Sequence, residues 1–454
     1  MASSETINVD DLVDNQRFGS FSVRVLALAL LALIADGYDV QVMAFSAPSL
    51  MREWGLKRAE FGPVLSAGLF GILFGAPLFG WLGDRIGRKR CIIVSSVAYG
   101  LCSLLCLAAR NLEMLIVLRF LTGMGLGGVM PNAIAIAAEL SPKKNRAMMA
   151  SVIAVGITIG GVVPGLIAAQ LPPDGTWRML FLIGGLAPLV IAALIALLLP
   201  ESVAFLLRRN APRERIARLV RWIDPRVEVG PDTRFVSHPV AKGEGVGLGA
   251  LFIGEFRLVT PLLWVMFAST LLTIYLLTSW MPLLLEASGF TPAKAAATNS
   301  MFQAGGVVGC LIVSQLLGRF GPRLVVVLFV LTLAAVATVA RANLPGEALT
   351  LGVAACGACL VGLQATLNGT AGLAYPTSAR SKGVGMALGV GRIGSVVGPL
   401  IGAQVVGTGV TAARDLFVVP LAPLTLGALA AVIVMWRLTR RGVSGGEAQA
   451  SLNS

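Results

Sequence analysis

The sequence contains few charged residues and few aromatic residues. Of its 454 residues, 13% are charged and 7% are aromatic, whereas 56% are hydrophobic. The mean hydropathy of +0.83 is well above that of soluble domains. The apolar residues stand in blocks of about 20, the length of a membrane-spanning helix. They do not alternate with a period of two, which excludes a transmembrane β-barrel. The composition therefore indicates an all-α membrane protein with several spans.

Reactive side chains are also scarce. The chain has one histidine, His238, and its six cysteines lie within or at the edges of apolar blocks, which argues against a disulfide framework. Without an available histidine, no nucleophile, base and orienting group can be assembled, and the sequence has no nucleotide-binding loop. We therefore expect neither an enzyme nor an ATP-driven machine, and no cofactor. Any proton relay must use carboxylates.

The net charge of +13 arises from Lys and Arg residues in short loops between the apolar blocks. This distribution is an orientation signal of membrane proteins and does not indicate a nucleic-acid partner. Most of these residues fall on one side of the bilayer when both termini are placed in the cytosol. The acidic N-terminus lacks the features of a cleaved signal peptide. The sequence thus predicts a multi-pass protein of a bacterial-type inner (plasma) membrane with both termini cytosolic.

Hydropathy predicts twelve membrane spans, six on each side of a long polar loop. A basic amphipathic stretch in this loop begins at Val203, and we expect it to lie along the anionic cytosolic leaflet. The expected segments are a cytosolic tail (1–21), a six-helix half (22–199), a cytosolic central loop with the amphipathic helix (200–257), a second six-helix half (258–436) and a cytosolic tail (437–454).

The two halves carry an internal repeat. The loop after the second span reads GDRIGRKR, and the loop after the eighth reads GRFGPR. Aligning Gly87 with Gly321 gives an offset of 234 positions (321 − 87), and aligning Arg146 with Arg380 gives the same offset (380 − 146). Related halves of this kind are typical of secondary transporters.

Several motifs resemble those of one superfamily. GDRIGRKR (83–90) and PES (200–202) resemble the loop after helix two and the ending of helix six in the major facilitator superfamily, and RFLTGMGLG (119–127) resembles its helix-four motif. More narrowly, DGYD (36–39) and GVGRIGSVVGP (389–399) are similar to the aromatic acid:proton symporters. The resemblance implies the major facilitator fold, with two pseudo-symmetric six-helix halves that rock about a midplane site. It also implies a small aromatic acid as substrate and protons as the coupling ion, and we expect a functional monomer.

Two carboxylates in the first span are costly in lipid, because an ionised Asp at mid-helix costs roughly 2.5 to 3.5 kcal/mol on insertion scales. Asp36 and Asp39 are three positions apart and share one helix face. By helix rise they lie at the depth of Arg119, which is in the fourth span. A pair with Arg119 leaves one carboxylate in excess, which we expect to carry the proton. The alternative is an ion cluster that only fixes helix packing.

Arg392 lies near the midplane of the eleventh span, with no acidic residue at that depth in the second half. Its planar guanidinium suits a carboxylate, so we expect it to bind the carboxylate of the substrate. The alternative is that backbone carbonyls or an Asp across the cavity satisfy it. The other candidate substrate-binding residues are aromatic or carry amides, which suit a ring and its hydroxyl groups. They are Tyr38, Gln303, Asn368, Gln364, Tyr275 and Trp280.

In the family, the loop after helix two holds the cytosolic side shut through pairs with neighbouring helix ends. The resemblance therefore implies a gate in this chain. A purely orientational role explains the basic residues of the loop, but it does not explain Asp84. The expected gating residues are Asp84, Arg85, Arg88, Glu139 and Arg146.

These observations together predict a proton-coupled secondary transporter that imports an aromatic carboxylate of the benzoate or hydroxybenzoate class by alternating access. An exporter of amphipathic compounds with the same fold is an alternative, although it would not need Arg392. A symporter of a ring-opened or other small organic acid is another. A non-transporting receptor would not need the titratable carboxylates Asp36 and Asp39.

Overall fold

The computed structural model describes the chain except at residues 1–5, 173, 228, 231–232, 238–247, 255, 343, 376, 410–412 and 453–454, which leaves His238 outside the described residues. Most of the described chain is helical. In chain order, the elements are β1 Thr6–Asn8, α1 Val9–Asn15, α2 Ser20–Trp54, α3 Gly62–Ile86, α4 Arg88–Leu105, α5 Leu112–Glu139, α6 Arg146–Ala168, α7 Thr176–Leu198, α8 Val203–Arg208, α9 Arg213–Ile223, β2 Arg234–Val236, α10 Phe256–Ala287, α11 Pro292–Phe320, α12 Leu324–Arg341, α13 Gly346–Ala374, α14 Thr377–Gly407, α15 Ala413–Leu416 and α16 Leu421–Leu452.

The long helices agree with the predicted membrane spans. Within the described ranges, 11 continuous stretches are long and apolar enough to cross a membrane. One of them runs from Pro292 to Arg341 and contains both α11 and α12. When α11 and α12 are counted separately, the stretches are consistent with the twelve spans that hydropathy predicts.

Capping residues and turn residues lie where several of these helices begin, close to the starts of the apolar blocks. Asn111 precedes α5, and its side chain accepts a hydrogen bond from the amide of Met114. Thr291 caps α11 in the same way, and Pro292 occupies the first turn, where no amide hydrogen is required. Gly87 separates α3 from α4 with a φ of 103°, a conformation that favours glycine.

The helices are distributed over two units. The first unit comprises Met1–Val42, Phe70–Gly161 and Arg178–Ala241, and the second comprises Met43–Leu69, Val162–Trp177 and Lys242–Ser454. In the second unit, α11 packs on α13 and α10 packs on α14. Large fully buried side chains of this unit include Trp280, Phe302 and Phe329.

The central loop is organised differently from the prediction. The chain from Val203 forms two helices, α8 and α9, because Pro212 precedes the second helix and Asn210 takes a left-handed conformation with a φ of 49°. The apolar side chains of α9 are buried next to α8 and α1. The helix therefore packs its apolar face within the first unit and not on lipid. β2 pairs in parallel with β1 of the N-terminal segment, with Thr6 opposite Arg234.

Candidate functional site

The DGYD motif lies in α2 of the first unit, on a buried part of the helix. Asp36 is 4% exposed and Asp39 is 0% exposed. Gly37 allows α6 to approach closely, since a Cβ at this position would overlap the carbonyl oxygen of Ile157. The motif thus places two carboxylates inside a tightly packed group of helices.

Arg119 of α5 forms an ion pair with Asp39. The distance between Arg119 Nη2 and Asp39 Oδ2 is 2.8 Å, and the same nitrogen donates to the backbone oxygen of Asp39 at 3.1 Å. Arg119 is 3% exposed. Ser103 of α4 donates its hydroxyl to Asp39 Oδ1 at 3.0 Å. Asp39 is therefore held by an arginine and a hydroxyl.

Tyr38, which we expected at the substrate, connects two helices of the first unit. Its hydroxyl donates to the backbone oxygen of Leu180 in α7 at 3.0 Å. The side chain is buried. This hydrogen bond fixes the ring beside the Asp39 ion pair.

The other candidate substrate-binding residues belong to the second unit. Gln303 of α11 is buried, while Arg392 of α14 and Tyr275 of α10 are half-buried. On α13, Gln364 Nε2 donates to Asn368 Oδ1 at 3.4 Å. Arg392 and Tyr275 both make polar or ring contacts of their own.

Trp280 has a clear structural role. It is fully buried, and its Nε1 donates to the backbone oxygen of Pro399 at 2.9 Å, which joins α10 to α14. A Cβ at Gly402 would overlap the indole ring. Both the ring and the polar atom of Trp280 are therefore engaged in helix packing.

Two buried amide oxygens of the second unit have no hydrogen-bond partner within the described residues. They are Asn299 Oδ1 on α11 and Gln364 Oε1 on α13. Asn299 lies one helical turn before Gln303, and its Nδ2 donates to Thr278 at 3.4 Å. Buried polar groups are normally satisfied, so these two oxygens are available to a donor on a bound molecule. Sequence reasoning missed Asn299, which stands in an unremarkable stretch, TNSMFQ.

Three of the expected gating residues meet around Arg88 in the first unit. Its Nη2 lies 2.5 Å from Asp84 Oδ1, and its Nε lies 3.5 Å from Glu139 Oε1. Its Nη1 also donates to Asn132 Oδ1 at 3.5 Å. Arg88 thereby links the end of α3, the start of α4 and the end of α5.

The other two expected gating residues lie elsewhere. Arg85 stacks on Trp81, with 3.9 Å from Cζ to the ring centroid. Arg146 pairs with Asp14 of the N-terminal helix α1 at 2.6 Å. The resemblance grouped all five residues into one network, and the geometry divides them into a cluster around Arg88 and two separate contacts.

Sequence reasoning did not single out an ion pair in the second unit. Arg52 Nη1 of α2 lies 2.6 Å from Glu286 Oε2 of α10. The signal for this pair was present, because the two residues are 234 positions apart, which is the repeat offset. Ser103 was missed as well, since a lone serine in an apolar span carries no recognisable pattern.

In the described part of the chain, long apolar helices stand on both sides of a central loop and bury ionisable side chains among them, which defines a secondary membrane transporter. The chain belongs to the Major Facilitator Superfamily, which it matches over residues 29–399.

Relatives of the chain fall in one group of this superfamily. It is 39% identical over 405 residues to a gallate transporter of Pseudomonas putida, covering 89% of this chain and 90% of the relative. It is 36% identical over 407 residues to a 4-hydroxybenzoate transporter of the same organism, covering 89% and 91%. The chain is therefore a member of the aromatic acid transporter family. In fold, it is similar to a partially occluded inward-open xylose transporter of E. coli, with a TM-score of 0.69, 15% identity and coverage of 92% and 99%.

Proposed function

We propose that this chain imports an aromatic carboxylate of the benzoate or hydroxybenzoate class together with protons, by alternating access, as a monomer in the plasma membrane with both termini cytosolic. The observation that carries the proposal is the buried Asp39–Arg119 ion pair with Asp36 on the same face of α2. The names of the relatives, a gallate and a 4-hydroxybenzoate transporter, support the substrate class.

The proton is carried by the carboxylates of α2. Asp36 and Asp39 are both buried on one face of α2. Buried negative charge is costly in a membrane, and the cost falls when one of the carboxylates binds a proton. Arg119 and Ser103 hold Asp39 in place. Release of the proton on the cytosolic side restores the charged state, so that import is coupled to the proton gradient.

The substrate is held by side chains of the second unit. The guanidinium of Arg392 binds the carboxylate, since its planar donors match two carboxylate oxygens. The oxygens of Gln364 and Asn299, which lack partners in the described part of the chain, accept hydrogen bonds from ring hydroxyls. Gln303, Asn368 and Tyr275 complete the candidate set, while Trp280 is left out because of its packing role.

Two ion-pair clusters act as gates. The cluster of Arg88 with Asp84 and Glu139 stabilises the state in which the cytosolic side is shut. The Arg52–Glu286 pair stabilises the state in which the opposite side is shut, since it joins the ends of α2 and α10 that lie across the membrane from the termini. Both clusters are formed in the structure, and in the transport cycle each is broken when its own side of the membrane opens.

The test is uptake into proteoliposomes that contain the purified protein. Labelled benzoate, 4-hydroxybenzoate and gallate are supplied with an acidic exterior, with no pH gradient, and with a protonophore. We expect accumulation of at least one acid above equilibrium only under the gradient. Accumulation that persists in the presence of the protonophore would contradict proton coupling. If none of the aromatic acids is taken up, the proposed substrate class is wrong.

A further inference from the structure

A basic cavity lies at one end of the first unit, apart from the residues assigned to substrate and proton. It has a volume of about 390 Å³ and is formed where α3 meets α4 and where α8 meets α9. Four arginines line it, together with one carboxylate and an apolar wall. The lining residues used below are Arg85, Arg90, Glu201, Phe205, Arg209 and Arg215.

The arginines of the cavity are not neutralised by carboxylates. Among the described residues, no ion pair joins any of the four to an acidic side chain, and all four are exposed. Arg209 donates to the backbone oxygen of Arg85, which holds α8 against the end of α3. Four positive charges therefore converge without an acidic partner among the described residues.

The single carboxylate of the cavity is engaged with the backbone through one oxygen, while its Oε2 has no hydrogen-bond partner among the described residues. Glu201 Oε1 accepts hydrogen bonds from the amides of Lys89 at 3.2 Å and Ser202 at 3.1 Å. The residue is 6% exposed. Its negative charge therefore stabilises the amide groups at the start of α4, and the four arginines leave the cavity with a net positive charge.

The surroundings place this cavity at the edge of the bilayer. Trp81, one turn before Arg85, is 52% exposed, and tryptophans of this kind gather at membrane interfaces. Leu197, near the end of α7, is 77% exposed, which is the behaviour of a lipid-facing side chain. The apolar surface ends within a few residues of Glu201, so the cavity lies at the level of the lipid headgroups.

We propose that this cavity binds a phosphate-bearing anion and that in the membrane its occupant is the headgroup of an anionic phospholipid. Guanidinium groups bind phosphate oxygens through pairs of charge-assisted hydrogen bonds. Basic pockets at the cytosolic ends of helices attract anionic headgroups. A bound phosphate would tie α9 to the junction of α3 and α4, directly beside Arg88. A soluble phosphate compound has the same chemistry and is the other source of such an anion.

The test uses the full-length protein purified in a neutral detergent. Binding is measured by native mass spectrometry and by the rise in melting temperature, with phosphatidylglycerol, phosphatidylcholine and inorganic phosphate as separate probes. The variant Arg209→Gln/Arg215→Gln removes two cavity arginines. The matched control is Arg218→Gln/Arg221→Gln, which removes two exposed arginines of α9 that do not line the cavity. Arg90→Gln is a second cavity variant, and size-exclusion profiles confirm that each variant is folded.

We expect the parent and the control to bind phosphatidylglycerol at least about tenfold more tightly than the cavity variants do, because these variants lose charge-assisted hydrogen bonds. Phosphatidylcholine should bind equally and weakly to all of them. A different result is that inorganic phosphate, and not phosphatidylglycerol, raises the melting temperature of the parent and the control but not of the cavity variants. In that case the cavity binds phosphate, and its natural occupant is a soluble phosphate compound. Equal losses in the control and cavity variants, or no response to either anionic probe, would overturn the proposal.

Discussion

Arg52 and Glu286 occupy equivalent positions of the two sequence repeats, and they form an ion pair with each other. Their separation along the chain is 234 positions, and the distance between Arg52 Nη1 and Glu286 Oε2 is 2.6 Å. The Arg52 side chain is 45% exposed and that of Glu286 is 17% exposed. A pair this accessible contributes only about 1 kcal/mol or less. Such an energy is small for folding, but it is large enough to bias an equilibrium between two transport states.

The first prediction is that charge reversal in this pair can be rescued. Arg52→Glu and Glu286→Arg should each lower the initial uptake rate by up to about fivefold, the effect of roughly 1 kcal/mol on a conformational equilibrium. Arg52→Glu/Glu286→Arg should recover most of the rate because the ion pair is restored. Arg58→Glu is the control for a change of charge nearby. A double variant no better than either single variant would show that the pair has no gating role.

Apolar blocks were sufficient to predict the spans, but they did not predict the ends of the helices. The first apolar block was predicted to end near residue 46, whereas α2 continues to Trp54. The added turns contain the buried Ser49 and carry Arg52 near the helix end, where a positive charge is favourable. The pairing of β1 with β2 was not predictable either, since strands of three residues show no periodicity.

The polar contacts also divide into those that the sequence predicted and those that it did not. Arg119 was predicted to pair with Asp36 or Asp39, because opposite charges buried at one depth stabilise each other, and it pairs with Asp39. The partner of Arg146 was missed, since Asp14 lies in a polar tail that shows no pattern of long-range contact. Local spacing predicts which charges lie inside the membrane. Contacts between segments distant in sequence depend on packing, which spacing does not encode.

The second prediction separates the two groups that hold Asp39. Asp39→Asn leaves Arg119 without its ion-pair partner, and breaking a buried pair costs about 3 to 5 kcal/mol. Ser103→Ala removes one hydrogen bond and should cost about 1 kcal/mol. We therefore expect a large drop in melting temperature and complete loss of concentrative uptake for the first variant. The second should show a small drop in melting temperature and a partial loss of uptake.

The control for this series is Asp39→Asn/Arg119→Gln, which removes both charges. Its melting temperature should be higher than that of Asp39→Asn, because the guanidinium that lost its ion-pair partner is removed as well. A lower melting temperature would mean that Arg119 is stabilised by groups other than Asp39.

The third prediction concerns the cluster around Arg88. Arg88→Gln should reduce uptake more than Asp84→Asn does, since Arg88 contacts Glu139 and Asn132 in addition to Asp84. Substrate binding should persist in both variants, because no residue of the cluster belongs to the proposed substrate set. Arg110→Gln, an exposed arginine outside the cluster, controls for the lost charge. Transport rates and equilibrium binding are measured on the same preparations, and parallel losses of both would assign the cluster to folding.

The fourth prediction tests the close approach of α2 and α6. A Cβ at Gly37 would overlap the backbone of Ile157, which cannot move without shifting α6. Gly37→Ala should therefore destabilise the protein by about 1 to 3 kcal/mol or more. Gly80 of α3 has open space around its Cα, so Gly80→Ala should be neutral or stabilise by up to about 1 kcal/mol. Thermal unfolding in detergent measures both, and equal melting temperatures would contradict the packing argument.

The last prediction separates a carboxylate transporter from a general exporter. If Arg392 binds the substrate carboxylate, Arg392→Lys keeps the charge but loses the planar pair of donors, and binding should weaken by about 1 to 3 kcal/mol. Arg392→Ala should weaken it further. A neutral amide analogue of the best substrate should bind poorly to the parent protein and lose comparatively little more in Arg392→Ala, because the contact is already missing. Calorimetric titration of acid and amide against parent and variant completes a double-mutant cycle, for which we expect a coupling energy of at least about 1 kcal/mol. Additive losses would mean that Arg392 does not contact the carboxylate, and the substrate class would then rest on the relatives alone.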